Sequence, residues 1–121
     1  MLVELNRVEK HFPIGDSTFT ALSQVSLSFE RGEFTGIVGP SGSGKTTLLN
    51  IIGLLDTPTS GSAIVLNKSS TDLSEKESAQ LRSAHLGFIF QTYNLFSVYT
   101  VFENVEFPLL LLDLPKKERK L

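Results

Sequence analysis

Apolar and polar residues first alternate along Val25-Ser26-Leu27-Ser28-Phe29. That period of two predicts a half-buried strand. A shorter mixed strand is predicted over Leu2–Val8, ending near His11-Phe12-Pro13, with turn chemistry at Ile14-Gly15-Asp16-Ser17. After Arg31-Gly32 the alternation fades. Phe34–Val38 and later Leu86–Phe90 are almost wholly apolar, as in strands covered on both faces of a parallel sheet. From Lys45 the pattern turns helical. Leu48, Leu49, Ile51, Ile52, Leu54 and Leu55 surround most of the circumference, which predicts a mostly buried helix broken at Asp56–Gly61. Ala63–Leu66 reads as a strand and Asn67-Lys68 as the start of a polar loop. Ser74 and Glu77 form a capping box that opens a helix to about His85, with Ala79 and Leu81 inward. Thr100 and Glu103 form another, after which Val101, Phe102, Val105, Leu109 and Leu112 share a face. Pro108 should kink this helix and Pro115 should end it, with Lys116–Leu121 opening a further turn.

Composition narrows the class. The chain has 121 residues, 40% hydrophobic and 20% charged, which fits a soluble globular protein. No cysteine is present, so disulfide scaffolds and cysteine metal sites are excluded. With 13 acidic and 11 basic residues the net charge is -2, and no basic field argues for nucleic acid as a partner. No apolar run approaches the roughly 18 residues of a membrane span, and Met1-Leu2-Val3-Glu4 does not open a signal peptide. The expectation is a protein of a reducing compartment.

One motif carries chemistry. Gly39-Pro40-Ser41-Gly42-Ser43-Gly44-Lys45-Thr46 fits G-x-x-x-x-G-K-[ST]. The glycines let backbone N–H groups point inward as an anion nest, and the following helix adds the positive end of its dipole. Lys45 can reach the β- and γ-phosphates of a nucleotide, and the Thr46 hydroxyl can ligate Mg²⁺. Gly39, Ser41, Gly42, Ser43 and Gly44 supply the loop. An apolar strand before it and an apolar helix after it distinguish this site from a Gly/Ser linker.

The loop alone does not choose among nucleotide-binding families, and guanylate kinases carry a very similar one. More of the chain points elsewhere. The resemblance covers Ala21-Leu22-Ser23-Gln24-Val25-Ser26-Leu27, Gly32-Glu33-Phe34, the loop, and Gly53–Gly61. It continues through Gly87-Phe88-Ile89-Phe90-Gln91, Asn94-Leu95 and Thr100-Val101-Phe102-Glu103-Asn104-Val105. Together these resemble the N-terminal half of an ABC-transporter ATP-binding domain, most similar to the lipoprotein-releasing and macrolide-export ATPases. The fold implied is α/β of the P-loop NTPase type: an incomplete ABC-type domain spanning 1–121, with an N-terminal antiparallel β-subdomain and a partial parallel core sheet.

The resemblance implies roles at matching positions. Phe12 takes the place of the aromatic, usually Tyr, that stacks on adenine, and Thr47 would bond the α-phosphate. Gln91 matches the Q-loop glutamine, which touches Mg²⁺ or the attacking water and is the catalytic candidate here. The stretch Thr92–Thr100 would meet a transmembrane permease subunit, although Ser97 and Tyr99 replace the commoner Pro and Leu. The cofactors implied are ATP and Mg²⁺, with a second nucleotide-binding domain as dimer partner. The location implied is cytoplasmic, peripheral at the inner face of the plasma membrane through the permease.

Several family motifs are not in these residues. Leu73-Ser74 continues as Glu75-Lys76, so no Leu-Ser-Gly-Gly-Gln signature is present. Leu109–Asp113 looks like Walker B, but Leu114-Pro115 follows where a carboxylate base is needed. Asp113 is therefore read as a helix-end surface residue. His11 and His85 are read as ordinary residues at a strand end and a helix end, and Lys116–Lys120 as a solvated helix start. The expectation is a family ATPase whose stretch here binds nucleotide weakly and does not hydrolyse it. The alternatives are a non-catalytic or split-gene nucleotide-binding fragment, and a P-loop nucleotide kinase. The strands at 34–38 and 86–90 would have unpaired inner edges, which favours aggregation or complementation by another chain.

Overall fold

Val3 and Leu5 point inward on alternate positions of the first strand, and then Val8, not Arg7, is buried. A bulge causes the switch. Arg7 takes a left-handed φ of 45°, the register with the second strand shifts between Leu5 and Val8, and the Arg7 N–H bonds Ser26 Oγ at 2.9 Å. The computed structural model in which this is seen describes residues 1–110 and Leu112. Their elements are β1 (Val3–Ile14), β2 (Ser17–Phe29), α1 (Lys45–Ile52), β3 (Ser60–Val65), β4 (Lys68–Ser69), α2 (Glu75–His85) and α3 (Val101–Leu110). They divide into two units, Met1–Leu86 and a second beginning at Gly87.

In the first unit the sheet order is β2-β1-β3-β4, and every pairing is antiparallel. The β1–β2 hairpin turns at Gly15, φ 56°. The β3–β4 hairpin turns through Leu66 and Asn67, both left-handed at 52° and 61°, as a primed two-residue turn requires. Asn67 thus belongs to a tight turn rather than a loop, and β4 was not legible as a strand. Leu48, Ile51 and Leu54 cover the sheet and close a core with Val3, Leu5, Val8, Leu22, Ala63 and Val65.

α1 is shorter than its apolar run. The Leu54 N–H bonds Ile51 O at 3.1 Å and the Leu55 N–H bonds Asn50 O at 2.8 Å, a Schellman ending. Leu54 fills the left-handed position, φ 56°, that glycine usually takes. That conformation costs about 1–2 kcal/mol, and burying a leucine returns about 1.5–3 kcal/mol, so the side chain's burial decides the residue. The helix is also less buried than expected, because Leu49 and Leu55 are exposed.

α2 carries the expected capping box: the Glu77 N–H donates to Ser74 Oγ and the Ser74 N–H to Glu77 Oε2. Ala79 is exposed rather than inward. The partly covered side is Ser78, Leu81 and Arg82, the last bonding Leu54 O through Nη1 at 2.5 Å.

The two apolar segments at 34–38 and 86–90 do not form strands. A strand exists through its ladder, and no described strand pairs with either. Phe34, Val38 and Ile89 are almost fully exposed, while Ile37 alone of 34–38 packs on the core. The parallel part of the expected sheet is therefore not assembled among the described residues, and the antiparallel subdomain is.

In the second unit α3 begins with the expected capping box of Thr100 and Glu103. Pro108 lies inside the helix. The expected apolar face is not covered: Val101, Phe102 and Val105 are exposed, and Phe107 packs instead against Phe96 and Tyr99, with ring centroids 4.9 and 6.1 Å away. Asp113, Pro115 and Lys116–Leu121, to which sequence roles were assigned, lie outside the described residues.

Gly61 shows how tightly the bulge is held. A methyl group there would stand 2.2 Å from Arg7 O, at a φ of 81°. Gly15, φ 56°, has open space instead. Gly15→Ala should cost about 1 kcal/mol from backbone strain alone. Gly61→Ala should cost at least about 2 kcal/mol, because β3 must move off β1. Urea unfolding of both variants checks this ordering.

Candidate functional site

The loop between Gly39 and α1 is shaped by two left-handed glycines, Gly42 at φ 79° and Gly44 at φ 86°. Gly44 is also pressed against β2. A methyl group on it would lie 2.5 Å from Ala21 O and 3.0 Å from Leu22 Cδ2. The loop and helix start are thereby fixed to the sheet. Gly44 is the N-cap of α1, no side chain caps it, and the first turn has no acidic residue. The N–H groups of Lys45, Thr46 and Thr47 therefore have no partner within the helix, and they carry its positive end.

Lys45 folds back over the loop. Its Nζ donates to Gly39 O at 2.9 Å, Pro40 O at 2.6 Å and Ser43 Oγ at 3.3 Å. Among the described residues it has no carboxylate partner. A cation held only by neutral oxygens, beside free N–H donors, can accept an anion by exchanging ligands. Ser41, Gly42, Ser43 and Thr46 are exposed, and Thr47 is half-buried. The predicted loop residues thus run contiguously into the start of α1, with Lys45 folded back over them.

Phe12 lies toward the end of β1. It pairs with Phe19, and Lys10, two residues before it, pairs with Leu22, which lines Gly44. The Phe12 residue is 37% exposed. Lys10 Nζ stands 5.2 Å from the ring centroid and makes a 2.6 Å ion pair with Asp56 Oδ1.

Beside Phe12, Glu9 ties three strands together. It accepts from Gln24 Nε2 on β2 and from Ser60 Oγ on β3 at 3.0 Å, and His11 Nε2 lies at 3.2 Å. His11 Nδ1 faces Thr20 Oγ1 at 3.0 Å, and the His11 N–H bonds Thr59 Oγ1 at 3.0 Å. His11 is therefore a bridging residue within β1 rather than an ordinary strand end.

Gln91 belongs to the second unit and is exposed. Near it in sequence, the Phe88 and Phe90 rings stack at 5.7 Å. Asn104 organises the following loop: its Oδ1 accepts from the Phe96 N–H at 2.8 Å, and its Nδ2 donates to Phe96 O, Tyr99 O and Thr100 O. Lys10, Asp56, Glu9 and Asn104 escaped sequence reasoning. Only the Lys10-x-Phe12 spacing hinted at any of them, since alternate strand residues share a face.

Comparison with known proteins gives one consistent result. The family model described as ABC transporter matches residues 22–121. The macrolide export ATP-binding/permease protein MacB of Aggregatibacter actinomycetemcomitans is 43% identical over 118 residues, covering 98% of this chain and 18% of its own length. An ABC transporter ATP-binding protein of Methanocaldococcus jannaschii is 44% identical over 109 residues, 90% of this chain and 46% of its own. The dimeric post-hydrolysis structure of that archaeal cassette, bound to ADP and Pi, superposes with a TM-score of 0.87 at 42% identity. The superposition covers 97% of this chain and 52% of the solved one. The chain thus spans about half the length of that relative and less of the MacB protein.

The Glu9 hub makes stability depend on pH. Hydrogen bonds from Gln24 first, then His11 and Ser60, favour its charged form and hold its pKa below the ordinary 4.5. Its contribution is complete above 4.5 and is lost as pH falls through the lower folded-state value. Thermal unfolding followed from neutral pH into that acid range should show Glu9→Gln destabilised at neutral pH. The gap to the unsubstituted chain should narrow as the pH falls.

Proposed function

The chain belongs to the ABC transporter family, and from that premise we propose that the Gly39–Thr46 loop holds the phosphates of ATP with Mg²⁺. The observation that carries this is Lys45, folded onto Gly39 O and Pro40 O above the unpartnered N–H groups at the start of α1. The fit is chemical as well as steric. Gly44, left-handed and seated on Ala21, gives α1 no side-chain cap, and no acidic side chain in the first turn repels an anion. Lys45 exchanges carbonyl oxygens for β- and γ-phosphate oxygens. Thr47 bonds the α-phosphate, and Phe12 offers its open face to adenine.

Among the described residues no group of three or more His, Cys, Asp or Glu side chains could hold a metal ion by itself. Mg²⁺ would accordingly take its ligands from phosphate oxygens, water and the Thr46 hydroxyl. Bound there, the ion neutralises charge on the phosphates.

In the whole protein, hydrolysis would drive export or lipoprotein release. A membrane permease would dock near Gln91–Tyr99, and a second ATP-binding domain would complete the site. The protein would then lie at the cytoplasmic face of the membrane. No described helix is long and apolar enough to cross it. The dimeric archaeal cassette bound to ADP and Pi, and the fused permease named in MacB, support this reading. The 121 residues by themselves bind nucleotide weakly and do not hydrolyse it, since they hold neither a signature run nor a carboxylate base after Asp113.

Titration calorimetry with Mg·ATP should show binding that Lys45→Ala weakens by about tenfold or more, the loss of a charge-assisted contact of about 1.5–3 kcal/mol. Phosphate release should not exceed that of the same variant. Equal affinity in both proteins would remove the phosphate-loop reading. Release above the Lys45→Ala level would remove the claim that these residues do not hydrolyse ATP.

A further inference from the structure

We propose that Lys10, anchored by Asp56, is a positioning residue for the nucleotide base: its ammonium covers one face of Phe12 and presents the other to a purine. This rests on the reading of Phe12 as the stacking aromatic and adds to it what sets the ring.

The ammonium has three partners. Lys10 Nζ lies 5.2 Å from the Phe12 centroid, 2.6 Å from Asp56 Oδ1 and 2.8 Å from Thr57 O. The Lys10 side chain is 13% exposed, whereas the Phe12 residue is 37% exposed. The lysine is therefore the sequestered partner and the ring the open one. Asp56 is itself held, since its Oδ1 also accepts from the Thr57 N–H at 2.8 Å and its own N–H bonds Asn50 O at 3.2 Å. That places the anchor on the tail of the Schellman ending of α1, the helix whose other end carries Lys45. One short helix thus connects the phosphate loop to the group behind the aromatic ring.

Two physical effects follow. A ring already fixed from one side loses less freedom when a base settles on the other, so less of the stacking energy is spent on ordering. A cation against one π-face also draws the ring's electron density toward itself, leaving the outer face better suited to an electron-rich purine. Both act on the base and neither acts on the phosphates.

The test uses the chain with two ligands, Mg·ATP and inorganic tripolyphosphate, which has phosphates and no base. Lys10→Met should weaken Mg·ATP by about two- to fivefold, the size of an exposed cation–π contact, and leave tripolyphosphate unchanged. Lys10→Arg should restore the affinity, and Lys10→Met should lose nothing further in a Phe12→Ala background. Equal losses for both ligands, or a loss that persists in that background, would make Lys10 merely structural and overturn the proposal. If Phe12→Ala leaves the preference for ATP over tripolyphosphate intact, the stacking reading fails first and takes the proposal with it. Absence of binding to either ligand by the unsubstituted chain would fail the phosphate-loop reading instead.

A second measurement needs no ligand. The chain has no tryptophan, so Phe12→Trp introduces a single indole reporter. Adding Asp56→Asn should make that indole more accessible to acrylamide. Unchanged quenching would show that the ion pair does not set the ring, and would overturn the proposal.

Discussion

A side chain larger than hydrogen at position 44 would collide with the carbonyl of Ala21, and that single contact organises the first unit. Gly44 makes a left-handed turn directly before α1. It seats the helix start on β2, and it leaves the first-turn N–H groups facing outward rather than into a cap. Leu48 and Ile51 then follow on the sheet side, where they meet Leu22, Ala63 and Val65 in the core. The packing of the core and the uncapped start of α1 thus meet at the same close approach. Packing fixes the helix axis, and the glycine fixes where it begins.

The sheet beneath is built around an irregularity. A regular β1 would place every second residue inward, but the left-handed Arg7 resets the count so that Val8 joins Val3 and Leu5. Gly61 on β3 accommodates the displaced Arg7 carbonyl. Beyond the bulge, Glu9 and His11 tie β1 to both neighbours through Gln24, Thr20, Thr59 and Ser60. The strand end that bears Phe12 is therefore braced on two sides, although most of its surface is open to solvent. Stiffness there comes from polar contacts, because too little apolar surface is available to supply it.

Elements whose cause is local were legible from the sequence. The Gly39–Lys45 loop with the helix after it, the capping boxes at Ser74 and Thr100, and the turn at Ile14–Ser17 depend on residues close together in the chain; the length of β2, which begins at Ser17 rather than near Val25, was not legible. Elements whose cause is distant were not. Phe34–Val38 reads as a buried strand from composition alone, yet it takes that form only beside a partner strand, and none of the described residues provides one. The expected buried faces failed in the same way. Leu49 and Leu55 on α1, and Val101, Phe102 and Val105 on α3, have the right spacing, and burial also requires something to pack against. In the candidate site, the position of the loop before α1 was readable because one motif marks it. Lys10, Asp56 and Asn104 were not, since each acts through a fold-dependent neighbour.

The folded-back Lys45 has a kinetic meaning. Its ammonium is already saturated by the loop's own carbonyls, which belong to the same short stretch of chain and so compete at very high effective concentration. On the proposed nucleotide reading, an arriving phosphate would not fill an empty hole. It would enter by ligand exchange, displacing the neutral internal oxygens one at a time. The loop would in effect be its own placeholder, with the lysine occupying the cradle between visits.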